Sequence, residues 1–482
     1  VSDPDVLIAG AGPAGLLLAA ELAPAGVRTT IVERLPERPP YCRGFNLNAR
    51  ALDLLARRGL ADGLVAEGHR VPHAPATGLP GPLLLDGAAT DHPFSLGIPQ
   101  TRVEEVLEAR ALELGVEILR GHELRSFTQS ADEVATVVHN GRFGRTIRSR
   151  YLVGCDGGRS TVRKQAGIGF PGVDARWYAL LGDVECELPY GPSAGPDGRS
   201  LFVIPRPGYV RIVVREDDPP SDKDTPVTLE RLQAQVDAVL GRPVELRAPR
   251  WLSRFGDAAR LASTYREGRV LLAGDAAHIH PPAGAIGVNV ALDDAFNLGW
   301  KLAATVRGTA PEGLLDTYHD ERHAAGARIL ANTRAQVALE EAAEEPWADL
   351  LRRVAAHPAG NRALAEIITG LDACYEPGGH AWLGRLAPDV PLRVSGAETH
   401  LAALLHEGQP VLLDLTASGS FAAWSVGVTV VAADSPSTSD IEAVLLRPDG
   451  HVAWVGTCGS GDAGLAEAVR RWVGDVPVPA IA

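Results

Sequence analysis

The apolar run Val6-Leu7-Ile8-Ala9, entered from Asp5, reads as a short buried strand. It runs into Gly10-Ala11-Gly12-Pro13-Ala14-Gly15, and the apolar stretch Leu16 to Ala23 that follows reads as a helix. After Gly26, a second strand from Val27 to Val32 ends on Glu33. Two later runs repeat the theme of a buried strand ending in glycine and acid: Tyr151-Leu152-Val153-Gly154-Cys155-Asp156-Gly157, followed by Ser160 and Arg163, and Arg269 to Gly274-Asp275. A loop from Pro281 to Asn289 leads into a helix reaching about Val306, whose apolar face of Leu292, Ala295, Phe296, Leu302, Ala303 and Val306 has helical spacing and belongs to a core.

Between 171 and 268 the period changes. Trp177 to Val184, Leu201 to Ile204 and Tyr209 to Arg215 are strand-like, and in the last of these Val210, Ile212 and Val214 alternate with Tyr209, Arg211 and Arg215. This predicts an antiparallel sheet with one face over a pocket. Tyr209 and Arg211 are candidate substrate contacts, although a solvated strand face explains them equally well. From about 381 a small α/β unit follows, with strands at Val411 to Leu415, Val428 to Ala432, Ala443 to Arg447 and Val452 to Val455, and a last helix at Leu465 to Val473.

A chain of 482 residues is too long for one core. The predicted organisation is a nucleotide-binding part over 1–170 with a short excursion near 72–100, a substrate sheet over 171–268, a return to the first part over 269–380, and a tail unit over 381–482. A net charge of −14 argues against a nucleic-acid partner, which would need clustered Lys and Arg. The longest apolar runs fall short of a membrane span, and no basic stretch precedes the first strand, so a cytoplasmic location without membrane attachment is expected, as a monomer or homodimer. Cys42, Cys155, Cys186, Cys374 and Cys458 are scattered without a CxxC pair, so neither a disulfide framework nor a metal site is expected. The absence of Met has no physical explanation in the sequence.

Gly10 permits a tight turn, Gly12 lets the backbone approach a pyrophosphate, and Gly15 allows close packing of helix on strand. Glu33, followed by Arg34, stands where a carboxylate accepts hydrogen bonds from an adenosine ribose. Two other GxGxxG runs, at Gly167 and Gly459, read as turns: Pro171 blocks a helix after the first, and no strand with a terminal acid follows the second. Asp275 suits the polyhydroxyl ribityl chain of FAD, which NAD lacks. Three glycine-acid motifs in this order favour FAD.

GAGPAG, CDGGRSTVR and GDAAHIHPPAGAIGVN resemble the class A flavoprotein monooxygenases of the para-hydroxybenzoate hydroxylase fold, over nearly the whole chain. The resemblance is nearest to the aromatic polyketide hydroxylases, through the tail after the family linker at Pro388-Asp389. It implies an α/β fold with a Rossmann-type FAD-binding domain, an inserted mixed or antiparallel substrate sheet, and a thioredoxin-like tail without the redox CxxC. It places Gly10 to Gly15, with Ala11, Pro13 and Ala14, on the pyrophosphate, Glu33 on ribose and Asp275 on ribityl. Asp156, Arg43, Gln100 and Leu124 join the FAD residues, Leu124 through its backbone to adenine.

The amides from Gly287 through Val288 to Asn289 open a helix and favour negative charge on the flavin pyrimidine, while Pro282 lies beside the reactive face; with Arg43, Pro282 and Gly287 form the candidate catalytic set. Ala285-Ile286 replaces the Gly-Gln of many relatives, and Val288 stands where Leu or Met is common. The implied reaction takes reducing equivalents from transient NADPH or NADH and hydroxylates a small aromatic or polycyclic substrate with O₂ through a flavin C4a-hydroperoxide, which must be kept dry. His278 is expected to be structural, and His280 is a candidate substrate contact. A Baeyer–Villiger oxygenase and a non-catalytic, FAD-containing drug-sequestering protein are the alternatives; a halogenase is disfavoured because Trp-x-Trp-x-Ile-Pro is absent. The tail carries no residue matched to flavin, so its loss is expected to harm solubility or assembly more than chemistry.

Overall fold

Val6–Ala9 is buried on both faces because it lies inside a parallel sheet, between Thr29–Glu33 on one side and Tyr151–Gly154 on the other. In the computed structural model, which describes residues 3–42, 44–79, 81–195, 199–342, 345–416, 418–425, 428–436, 438 and 440–475, this sheet has six strands. Their order is Arg266–Glu267, Val270–Leu272, Tyr151–Gly154, Val6–Ala9, Thr29–Glu33, Glu117–Arg120, with only the first running antiparallel. The helices Pro13–Leu22 and Gly287–Arg307 pack on it and share its core through Leu16, Leu17, Leu292, Phe296 and Leu302. Residues 261–268, which the sequence pattern assigns to the substrate sheet, return to this body, because Arg266–Glu267 pairs with Val270–Leu272. No helix among the described residues is long and apolar enough to cross a membrane.

The chain forms two compact units, 1–171 with 261–482, and Gly172–Arg260. The second contains a five-stranded antiparallel sheet in the order Gly191–Ala194, Ser200–Arg206, Tyr209–Arg215, Tyr178–Glu185, Arg247–Gly256. The helix Leu229–Leu240 covers one face, where Leu180, Val203, Ile212 and Val214 meet Leu232 and Val236. Alternation then sends Asp183, Phe202, Ile204, Arg211, Trp251 and Phe255 to the opposite face.

The tail sheet has the order Thr429–Ala432, Val411–Asp414, Ile441–Leu446, Val452–Thr457, with one parallel and two antiparallel pairings, and is packed by the helix Leu465–Trp472. One of its two cores incorporates Trp300 and Leu314 from the first body. The tail is therefore continuous with the flavin-type unit.

Candidate active site

Gly10 has φ +106°, and a Cβ there would stand 2.3 Å from the Cys155 carbonyl oxygen; at Gly15 it would stand 2.1 Å from that of Gly10. Protein packing alone thus requires both glycines. Gly12 differs, because its backbone is extended and a Cβ would meet nothing within 4 Å. Open space over the first turn of Pro13–Leu22 is what an approaching phosphate group needs. Ala11 N–H donates to Glu33 (2.9 Å), and the other oxygen of Glu33 accepts from Leu35 N–H (2.9 Å), so the acid braces the glycine turn. Arg34 is exposed. Leu124 is buried in Glu123–Gln129, close after His122, whose N–H donates to Glu33 O (2.9 Å).

At the next strand end, Asp156 is engaged by its own chain neighbours. Its carboxylate accepts from Ser160 and from the Thr161 and Val162 amides (2.7 and 3.1 Å), so its side chain caps the short helix Thr161–Gln165. Arg163 then staples two loops, donating to Ala276 O (2.8 Å) and Gly158 O (2.9 Å). Burial pushes the neighbouring Cys155 thiol up, which keeps it protonated and inert.

Gly274 has φ +62° beside Ala14 and Ala291. Its N–H donates to Asp294 (2.9 Å), which also accepts from His278 Nε2 (2.8 Å) and Arg322 Nε (2.8 Å). Burial opposes ionisation of Asp294, but His278 and Arg322 outweigh it and hold its pKa below the usual value. His278 is structural, as expected. Asp275 itself is exposed, and its carboxylate has no partner among the described residues.

Beyond it, Pro282 is exposed, Gly284 has φ +74°, and Ala285 takes φ +51°, where glycine is easier. Val290 is the first residue of the long helix to close a backbone bond, onto Ile286 O, leaving the amides of Gly287, Val288 and Asn289 ahead of it without carbonyl partners among the described residues. The Asn289 side chain accepts from Asn48 N–H (2.8 Å) and donates to Asn46 O (3.3 Å). Gln100 opens Gln100–Glu113, its N–H donating to Gly44 O (3.0 Å) and its amide to Glu104 (2.9 Å). Arg43 lies outside the described residues. His280 donates from Nδ1 to Pro281 O (2.7 Å), burial lowers its pKa, and the neutral Nε2 lies beside Gly287.

Glu33, Gly12, Asp156 and Asp275 thus stand at the carboxyl ends of four adjacent strands. With strands ~4.8 Å apart, the three steps from the Glu33 strand to the Asp275 strand cover ~14 Å. An extended dinucleotide along this edge would meet amides first, then an unpaired carboxylate, then a helix N-terminus. That donor set fits FAD.

In the second unit, Arg211 does not lie on a solvated strand face. It is buried and makes a two-pronged ion pair with Asp183 (2.7 and 2.8 Å) across the sheet, because Asp183 is its register partner on the neighbouring strand. Tyr209 is half-buried beneath the Arg250 guanidinium. Sequence reasoning missed Arg50, Asp293, Asp294 and Arg322, a buried ion network around the long helix. Its visible signal was the Asp293-Asp294 doublet set between the core residues Leu292 and Ala295.

The FAD binding domain family matches residues 3–333, and the family described as aromatic-ring hydroxylase, C-terminal, matches 380–476. The chain is 41% identical over 496 residues to the 12-dehydrotetracycline 5-monooxygenase/anhydrotetracycline 6-monooxygenase of Streptomyces rimosus, covering 98% of this chain and 99% of that one. It is 42% identical over 467 residues to the rifampicin monooxygenase of Streptomyces venezuelae, covering 94% and 95%. The solved structure of OxyS, an anhydrotetracycline hydroxylase from Streptomyces rimosus, matches with TM-score 0.92 at 41% identity, over 98% of this chain and 100% of that one. With a flavin family spanning most of the chain and a hydroxylase family spanning its tail, the protein belongs to the FAD-dependent aromatic-ring hydroxylases and is a flavoprotein monooxygenase.

Proposed function

We propose that the protein hydroxylates a polycyclic, polyketide-type phenol in the cytoplasm with O₂ and NAD(P)H, holding FAD along the strand-end edge from Glu33 to Gly287. The observation that carries this reading is the exposed carboxylate of Asp275, without a partner among the described residues, standing between the open turn at Gly12 and the amides of Gly287 to Asn289, which have no carbonyl partners among those residues. Bound FAD supplies the redox chemistry, accepting a hydride from the nicotinamide and activating O₂.

The chain's own residues bind and orient. The Ala11-Gly12-Pro13-Ala14 turn receives the pyrophosphate at a helix N-terminus, and Glu33, with lone pairs left after bracing the turn, accepts from ribose. Leu124 supports adenine through its backbone, and Asp275 accepts from ribityl hydroxyls. Gln100, bonded to Gly44, flanks the ring system, and Arg43 is assigned to it by the resemblance alone. Amides of Gly287, Val288 and Asn289 stabilise negative charge at the pyrimidine edge, while Pro282 limits the space at the ring face. His280, neutral and with an acceptor at Nε2, can hold a substrate hydroxyl proton. Similarity to monooxygenases of anhydrotetracycline and rifampicin supports a substrate of that polyketide kind.

Turnover of tetracyclic phenols with NADPH or NADH under ¹⁸O₂ tests the reading. One labelled oxygen on a ring carbon is expected, with anaerobic flavin reduction accelerated by the phenol. A lactone product would replace hydroxylation by Baeyer–Villiger insertion, and bound phenol with no NAD(P)H consumption would leave only drug sequestration.

A further inference from the structure

The tail strands Ile441–Leu446 and Val452–Thr457 are joined by Arg447-Pro448-Asp449-Gly450-His451, a composition normally found on exposed hairpin tips. Here Arg447, Asp449 and His451 are all buried, at 2%, 1% and 1% exposure. Gly450 has φ +85°, and a Cβ would stand 2.5 Å from the Arg57 side chain. The tip is inserted into the flavin unit. Arg447 grips Glu321 with both nitrogens (2.7 and 2.9 Å), and Asp449 accepts from Trp300 Nε1 (3.1 Å).

His451 starts a second line of contacts. Its Nε2 lies 3.2 Å from Arg50 Nη2, which can only donate, so Nε2 is the acceptor and the ring is neutral, with Nδ1 3.1 Å from Asp449 but off the line of a straight bond. Arg50 holds Asp293 with two bonds (3.0 and 3.2 Å), Asp293 accepts from Arg322 (2.7 Å), Arg322 donates to Asp294 (2.8 Å), and Asp294 accepts the Gly274 amide (2.9 Å). A parallel link runs from His451 over the Tyr375 ring (4.6 Å between centroids) to Arg322, which donates to the Tyr375 hydroxyl (2.9 Å). Arg50 also follows Asn48, whose amide is held by Asn289 at the head of the long helix.

We propose that the tail is part of the frame that holds the flavin, with His451 as its positioning residue: through Arg50, Asp293, Arg322 and Asp294 it sets the Gly274-Asp275 loop and the Asn46–Asn48 segment without touching the cofactor. This runs against the expectation that losing the tail harms solubility or assembly more than chemistry, and it rests on the reading that Asp275 receives the ribityl chain. Buried ions each held by several partners have few alternative arrangements, so a partner lost at one end displaces the groups at the other.

The test is FAD titration of the apoprotein, with the flavin absorption envelope and circular dichroism as second readouts, in wild type, His451→Phe, His451→Gln and Tyr375→Phe. We expect His451→Phe to weaken FAD about 5- to 30-fold and shift the visible flavin spectrum. His451→Gln, which restores an acceptor to Arg50, should recover most of the loss. Leu413→Ala, which opens a cavity in the tail core away from the network, should lower the melting temperature and leave FAD affinity near wild type. Equal weakening by Leu413→Ala would make the effect one of tail stability and overturn the proposal, as would unchanged affinity and spectrum in both His451→Phe and Tyr375→Phe. Should His451→Phe fail to fold, Tyr375→Phe, which removes one hydroxyl, decides alone. Asp275→Ala separates the two layers: if it binds FAD like wild type, the ribityl assignment fails, whereas weakened FAD there with normal FAD in the His451 and Tyr375 variants sinks only the tail's role.

Discussion

Asp275→Ala separates cofactor binding from folding more cleanly than any other change in the site. The side chain is exposed and has no hydrogen-bond partner among the described residues, so its loss breaks no hydrogen bond described in the apoprotein. If it accepts hydroxyl bonds from the ribityl chain, the substitution removes a charged acceptor, and hydrogen bonds to charged groups are each worth about 1.5 to 3 kcal/mol net. That corresponds to an FAD dissociation constant raised about 10- to 150-fold, since every 1.4 kcal/mol is a factor of about ten. Asp275→Asn keeps one neutral acceptor and should fall between the two. The assay is fluorescence titration of apoprotein with FAD, beside thermal melts with and without saturating FAD. The apoprotein melting temperature should stay within about 1 °C of wild type, because exposed substitutions usually change stability by less than ~0.5 kcal/mol. An FAD dissociation constant within twofold of wild type would refute the assignment, and a large drop in apoprotein stability would show that Asp275 has a structural partner instead.

Burial opposes ionisation of Glu321, but Arg447 and Lys301 outweigh it and bring its pKa to about 2. Its contribution to stability is complete above its unfolded pKa near 4.5 and is lost as pH falls towards 2, so Glu321→Gln should flatten the acid limb of a melting-temperature profile between those values. Asp91 has the opposite sign. Asp91 is an exposed residue whose carboxylate accepts from Asp389 N–H; lost solvation at that carboxylate first, then repulsion from Asp53, raises it to about 6, so the folded state loses stability as pH rises from 3.8 through 6, and Asp91→Asn should be the more stable protein above pH 6 in urea melts. Ala285→Gly relieves a left-handed alanine at a cost of about 1 to 2 kcal/mol, offset by about 0.4 to 1 kcal/mol of added freedom in the unfolded chain. A gain of about 0.5 kcal/mol or more in urea unfolding is expected, and a loss would show that the loop needs the Ala285 methyl group.

The glycine-acid motifs were legible because the chemistry that makes them recognisable is local. A strand, a turn and a helix within fifteen residues of one another dictate why Gly10 and Gly15 must lack a side chain, and neighbouring strand ends then place Glu33 and Asp275 on one edge whatever the rest of the chain does. Asp156 differs from Asp275 for a related reason. Its motif has the same strand-glycine-acid form as Asp275, but the amides of Thr161 and Val162 follow closely enough to claim its oxygens, whereas Asp275 is followed by Ala276-Ala277 in a tight turn that leaves its carboxylate outside.

Arg211 exposes the limit of a one-strand pattern. Alternation correctly separated Val210, Ile212 and Val214 from Tyr209 and Arg211, but which face is solvated depends on what lies across the sheet, and the ion partner Asp183 comes from a strand 28 residues away. The tail hairpin takes the same argument further. Pro448-Asp449-Gly450 has the local chemistry of an exposed turn, and nothing within it signals that Glu321 and Trp300, more than a hundred residues earlier, and Arg50, about four hundred residues earlier, surround it. Burying those charges costs solvation whether or not they pair, and only complete pairing offsets it. A turn whose Arg447 is held by Glu321, and whose Asp449 is held by Arg447 and by Trp300, all of them buried, is consequently difficult to explain as a device for solubility. The matched set constrains the position of the Gly274 amide, which is why a change at His451 is expected to be read out at the flavin.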